Sequence, residues 1–331
     1  MVEKFYQDDI LYAVLENDCI RIMLVPEFGG KMVELRNKIT DTQFLLPMQE
    51  KFYSKKVPSY GAKYDQFQPS GFDEFFPTMR ACSLDDTHFP DHGEVWSLPW
   101  DLYTTQDALY LSIRGVKTEY RLFKKIQLAE NQISINYTLA NLSDESLYYL
   151  WTANPLLNPV SGARIVIEPS ITEVHLDWIS DHSLGNPGEE VSWPRVLGSD
   201  RDFSIVQDPG PEVAFQVYTP KIRRGFFGMY YQQSDEALLF RVDPDEVPYM
   251  GLWISYEGWS ANGGDQSGSI ALQPTNGWPG ALDDAVEYGD CEKVEGKEVK
   301  EWTFSIDVQH EVSLDIEHKF AYNQLEEACM R

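Results

Sequence analysis

Cysteine is scarce in this chain, with four among 331 residues. Cys19, Cys82, Cys291 and Cys329 lie far apart and form no C-x-x-C pair. That spacing argues against a zinc site and against a disulfide scaffold, and it favours reduced thiols. Long apolar runs are missing as well. No stretch approaches the roughly 18 apolar residues of a membrane helix, and the opening MVEKFYQDDI is charged where a secretory signal would be apolar. The expectation is a soluble cytoplasmic protein with no membrane partner. Positive charge is also in deficit: Lys and Arg number 27 against 53 Asp and Glu, a net charge of −26. A surface of that sign repels phosphate backbones and anionic lipid, so nucleic acid is not an expected partner. The acids are spread along the chain, as on solvated faces, and are not gathered into a tail.

Aromatic residues, by contrast, make up 13% of the chain and include nine tryptophans. Most are expected in the core, and the remainder can serve as stacking platforms. Short β-branched and aromatic runs separated by turn residues recur along the chain. Residues 10–46 read as strand, turn, strand, broken at Asn17-Asp18, at Pro26 with Gly29-Gly30, and at Asp41. ALYLSIRG, YRLFKKIQLA and QISINYTLAN then follow at hairpin spacing. VAFQVYTP, GFFGMYY, EALLFRVD, MGLWISYEGW and VKEWTFSIDVQ repeat the rhythm, residues 177–211 read as loop, and ALDDAVEYG reads as a short helical turn. The length suits two average domains or one large β-sandwich. With no linker or repeat in view, one all-β domain over 1–331 is the expectation: a large antiparallel β-sandwich with few short helices, one of them possible at 313–331.

The segment 71–100, GFDEFFPTMRACSLDDTHFPDHGEVWSLPW, follows neither a strand nor a helix period, and prolines interrupt it. It reads as a functional loop. Asp73, Glu74, Asp91 and Glu94 with His88 and His92 supply groups that bond hydroxyls and move protons, and Trp96 and Trp100 supply faces for a sugar's C–H groups. The same acids could simply satisfy loop amides. No spacing demands a metal, although an acidic loop offers oxygen ligands to a hard cation.

Five pieces, PEFGGKMVEL, PDHGEVW, WTANPLLN, GLWISYEGW and ALQPTNGWPGALDDA, resemble in order and spacing the aldose 1-epimerase or galactose mutarotase-like superfamily, across nearly the whole chain. The GFDE…PDHGEVW stretch is nearer an uncharacterised branch than the galactose mutarotases. The resemblance implies a β-supersandwich and interconversion of sugar anomers by paired proton transfers, with no cofactor and no metal. The implied partner is a monosaccharide or a sugar phosphate. His92-Gly93 matches the family's early histidine-glycine pair. Its second histidine falls at Asn154, and its glutamate base falls at Gln273.

Those two departures decide what the resemblance can carry. An amide bonds hydroxyls but takes up no proton near neutral pH. One hypothesis is an isomerase in which His92 is the acid and a carboxylate from Asp73, Glu74, Asp91 or Glu94, the first two foremost, replaces the missing base, with Gln273, Asn154, Asp91, Glu94, Trp96 and Trp253 binding the sugar. The alternative is a sugar-binding protein or sensor that has lost the proton relay. Glycoside cleavage is a third reading and needs two carboxylates about 5–9.5 Å apart. For a phosphorylated sugar, Arg80, Lys221, Arg223 and Arg224 are the residues to inspect.

Overall fold

A computed structural model describes residues 1–48, 57–67, 69–196, 200–207, 212–256, 258–259 and 268–312. Cys329 and the helix expected at 313–331 lie outside the described residues.

Gln132–Asn141 shows why these runs become strands. Ile133, Ile135, Tyr137 and Leu139 are buried while the residues between them are half-exposed, the period-2 signature of a sheet with one face to the core. Among the described residues this strand belongs to an eight-stranded antiparallel sheet, ordered Arg164–Val166, Phe226–Tyr231, Glu236–Val242, Val299–His310, Gln132–Asn141, Tyr120–Ala129, Ala108–Arg114, Asp101–Thr104. A larger antiparallel sheet runs Val2–Gln7, Ile10–Glu16, Ile20–Val25, Lys31–Asn37, Phe72–Phe75, Thr152–Leu157, Ser269–Thr275, Tyr249–Tyr256, Val213–Tyr218, Glu173–Ile179, Glu190–Ser192, with Thr42–Gln43 beside Lys31–Asn37.

The sheets pack face to face. Phe72 of the larger meets Phe304 of the smaller edge-on at 6.0 Å, and the core cluster draws on strands of both sheets. In the middle of the larger sheet, Thr152–Leu157, Ser269–Thr275 and Val213–Tyr218 are buried at every position. Their outer face is covered too, and that face carries the cavity described below. The helix Leu282–Tyr288 ends at Gly289, whose φ of +76° is the left-handed turn that closes a helix.

Two loop expectations need correction. Residues 71–100 are not one loop: Phe72–Phe75 is a central strand, Cys82–Leu84 pairs with Thr87–Phe89, and Val95–Ser97 is a 3-10 turn. Asp73 and Glu74 hid that strand, because both are buried with lysine partners where an apolar residue is the rule. The loop read at 177–211 begins too early, since Glu173–Ile179 is a strand that runs through Asp177 and Trp178.

Candidate functional site

Strand pairing explains how distant residues meet. Gln273 stands opposite Gly251, and Gln216 opposite Trp253, so the two glutamines flank the Tyr249–Tyr256 strand at Gly251. A β-carbon on Gly251 would fall 2.8 Å from Gln216 Nε2 and 2.8 Å from Gln273 Oε1. The glycine leaves room for the two amides to touch across the strand that separates them.

A directed hydrogen-bond chain follows. Gln216 Nε2 donates to Gln273 Oε1 at 2.8 Å, Gln273 Nε2 to Asn154 Oδ1 at 2.8 Å, and Asn154 Nδ2 to the Tyr64 hydroxyl at 3.2 Å. Tyr64 donates in turn to Asp73 Oδ2 at 2.9 Å, which Lys31 Nζ also reaches at 2.9 Å. Every donor points the same way and the chain ends on an ion-paired carboxylate. Burial, then the neighbouring Asp73 carboxylate, push the Tyr64 phenol well above its ordinary value, so it stays a donor. Gln216 Oε1, at the other end, is buried without a hydrogen-bond partner.

A cavity of about 340 Å³, within the range of small-ligand pockets, opens over this chain and is lined by Tyr64, His92, Asn154, Gln216, Gln273 and Trp253 among others. His92 adopts a φ of +59°, with Gly93 behind it at +71°. A side chain on Gly93 would meet the Phe76 carbonyl oxygen at 2.2 Å, which accounts for the glycine after the histidine. The imidazole stacks on Tyr64 at 4.3 Å and meets Phe75 edge-on at 4.6 Å. Its Nδ1 lies 2.9 Å from Asp91 Oδ1, a close contact outside hydrogen-bond geometry. Burial pushes the Asp91 carboxyl up, but His92 and the Tyr64 amide outweigh it and hold the group below its usual value.

The far wall comes from the strand that the loop reading cut short. Register slips between Leu176 and Trp178, so Asp177 is the extra residue of a β-bulge. Simple alternation would send neighbours to opposite faces; the bulge lets Asp177 and Trp178 both line the cavity. Trp178 packs 5.6 Å from Trp253, and Trp253 meets Trp259 at 5.6 Å and 88°. Asp177 Oδ1 is 3.4 Å from Arg80 Nη2, which also lies 3.4 Å from Asp284. Burial nonetheless dominates and raises the Asp177 carboxyl above its ordinary value, against the pull of Arg80 and the Gly280 amide.

Of the residues singled out from sequence, His92, Asp91, Asn154, Gln273 and Trp253 therefore share the cavity lining. Asp73 is one step behind, reached through Tyr64. Glu74 is not in the site: on the opposite face of the same strand it accepts from Lys124 at 2.7 and 2.9 Å and from the Tyr137 hydroxyl at 2.9 Å, between the sheets. Glu94 is fully buried as a loop clamp, accepting from the Val116 and Lys117 amides at 3.0 Å each and from the Tyr120 hydroxyl at 2.9 Å. Trp96 presents no open face. It is buried edge-on to Tyr64 at 5.0 Å and donates to the Asp91 carbonyl at 3.2 Å, so it props the His92 loop. Arg80 lines the cavity, whereas Lys221, Arg223 and Arg224 do not. Among the described residues no group of three or more His, Cys, Asp or Glu side chains could hold a metal ion, and no helix is long and apolar enough to cross a membrane.

Tyr64, Asp177, Trp178 and Gln216 went unmarked in the sequence. Gln216 did carry a signal, as the lone polar residue inside the apolar run VAFQVY. Tyr64 carried none, because it sits in a stretch without periodicity.

No protein-family model matches the chain, and no curated protein does. Solved structures do. A galactose mutarotase-like protein from Clostridium acetobutylicum superposes with a TM-score of 0.68 at 11% identity, over 94% of this chain and 98% of that one. A galactose mutarotase related enzyme from Lactobacillus acidophilus gives 0.64 at 13% identity over 89% and 96%, and a galactose mutarotase-like protein from Lactobacillus casei gives 0.64 at 16% over 89% and 99%. The chain has the galactose mutarotase-like fold, as its motifs led one to expect.

Proposed function

We propose that the cavity is a carbohydrate-binding site that holds its ligand by amide hydrogen bonds and indole stacking, without the acid–base pair of anomer interconversion. The observation that carries this reading is the Gln216–Gln273–Asn154 amide chain. It occupies the two positions where the resemblance places a glutamate and a histidine. Amides neither gain nor lose protons near neutral pH, yet they donate to and accept from hydroxyls. The tryptophan wall supports the same reading, because indole faces suit the C–H face of a sugar ring.

The likeness to galactose mutarotase-like structures is consistent with a sugar ligand. A second reading, isomerisation with Asp177 and His92 as the proton-transfer pair, is favoured by one observation: the raised carboxyl of Asp177 in the cavity wall. Titrating a panel of monosaccharides while following tryptophan fluorescence tests the binding claim. Saturable quenching that falls at least about tenfold in affinity in Trp253→Ala, as loss of a buried indole contact predicts, supports it. A flat response to every sugar ends it.

A further inference from the structure

The cavity's charges are unbalanced. The lining holds one arginine, Arg80, and three aspartates, Asp65, Asp91 and Asp177, with His92 beside Asp91. Arg80 Nη2 is already shared between Asp177 and Asp284, while its Nε is buried without a hydrogen-bond partner. The rest of the wall is also suited to positive charge. Trp178, Trp253 and Trp259 adjoin one another in the lining, the last two nearly perpendicular, and an indole face attracts cations.

Gln216 makes the point sharper. It is 2% exposed, and it stands in register between Trp178 on one neighbouring strand and Trp253 on the other. Its Nε2 is committed to Gln273, while its Oε1 is a buried acceptor with no partner. A buried acceptor left unmatched is costly, so a ligand that donates to it is favoured. Asp177 sits at the bulge next to Trp178 on the same wall. One unpaired acceptor, one carboxylate whose arginine is shared and two indoles thus lie on three adjacent strands of the cavity wall.

Resting on the carbohydrate reading, we propose that the ligand is a cationic amino sugar whose ammonium group is received by Gln216 Oε1, the Asp177 carboxylate and the Trp178 and Trp253 faces. A hydroxyl supplies one donor and no charge. An ammonium supplies three donors and the charge that the wall lacks. The net charge of −26 adds a long-range attraction of the same sign.

The test is calorimetric titration of the full chain with glucosamine and galactosamine, each beside its N-acetyl derivative and its neutral parent sugar, below the amine pKa and at low salt. The proposal expects the amino forms to bind at least about tenfold more tightly than both counterparts, the discrimination expected of one charge-assisted hydrogen bond. It also expects the gap to narrow as salt is added, and to collapse in Asp177→Asn. If the N-acetyl or neutral sugars bind as tightly as the amines, the cationic ligand is wrong while the carbohydrate reading stands. Binding of none of them overturns both. The wild-type series decides the matter even if the variant fails to fold.

Discussion

At the scale of single residues, Gly251 is the least conspicuous part of the site and the one on which its geometry depends. Gly251→Ala inserts a β-carbon 2.8 Å from both glutamine side chains, closer than real contacts allow. One amide must then swing away and the Gln216–Gln273 bond breaks. The expected outcome is loss of sugar binding with little change in fold, checked by calorimetry beside circular dichroism. Asp177 has a different signature. Its carboxyl holds its proton more tightly in the folded protein than in the unfolded chain. Stability should therefore fall as pH rises from the ordinary carboxylate value through the raised one. Asp177→Asn removes that contribution and should flatten this limb in urea-melt midpoints measured against pH; the buried Glu74, shifted in the same direction, remains as background. Both residues show why only part of the site was legible. His92, Asn154 and Gln273 sit in recognisable runs of sequence, whereas Asp177 reaches the cavity through a bulge, and a bulge is a property of strand pairing, not of the strand's own residues.

At the scale of elements, the strand Phe72–Phe75 divides the molecule's two tasks between adjacent residues. Asp73 turns to the cavity side and anchors the amide chain, while Glu74 turns to the core and binds Lys124. Read along the sequence, two neighbouring acids look like one acidic patch. Alternation across the sheet separates them, and burial with lysine partners conceals the strand. The core pair has a measurable consequence. Lys124→Met leaves Glu74 buried without its counter-charge and should cost about 3–5 kcal/mol in urea unfolding. In the double variant Glu74→Gln with Lys124→Met, the new amide can accept from the Tyr137 hydroxyl and donate toward the Gly30 carbonyl, both present partners of the ion pair. It should lose less than the single variant. A double variant as unstable as Lys124→Met alone would show that the penalty is lost packing and not unpaired charge.

At the scale of the whole molecule, the fold was the most legible feature, because runs such as QISINYTLAN carry their alternation openly and the core needs only that. Function was less legible for a physical reason. The cavity is assembled from six strands and four segments between strands that meet only in the folded sheet, and its lining mixes residues from Tyr64 to Gln273. What the assembly places at its floor is a row of amides ending on an ion pair, which can hold hydroxyls but has no proton to exchange. Exchange spectroscopy by NMR on a free aldose, recorded in the sample that also reports saturation transfer from protein to sugar, tests that claim most directly. The account predicts saturation transfer to the sugar's ring protons while the two anomers interconvert no faster than in buffer. Interconversion that accelerates in proportion to protein concentration would contradict it.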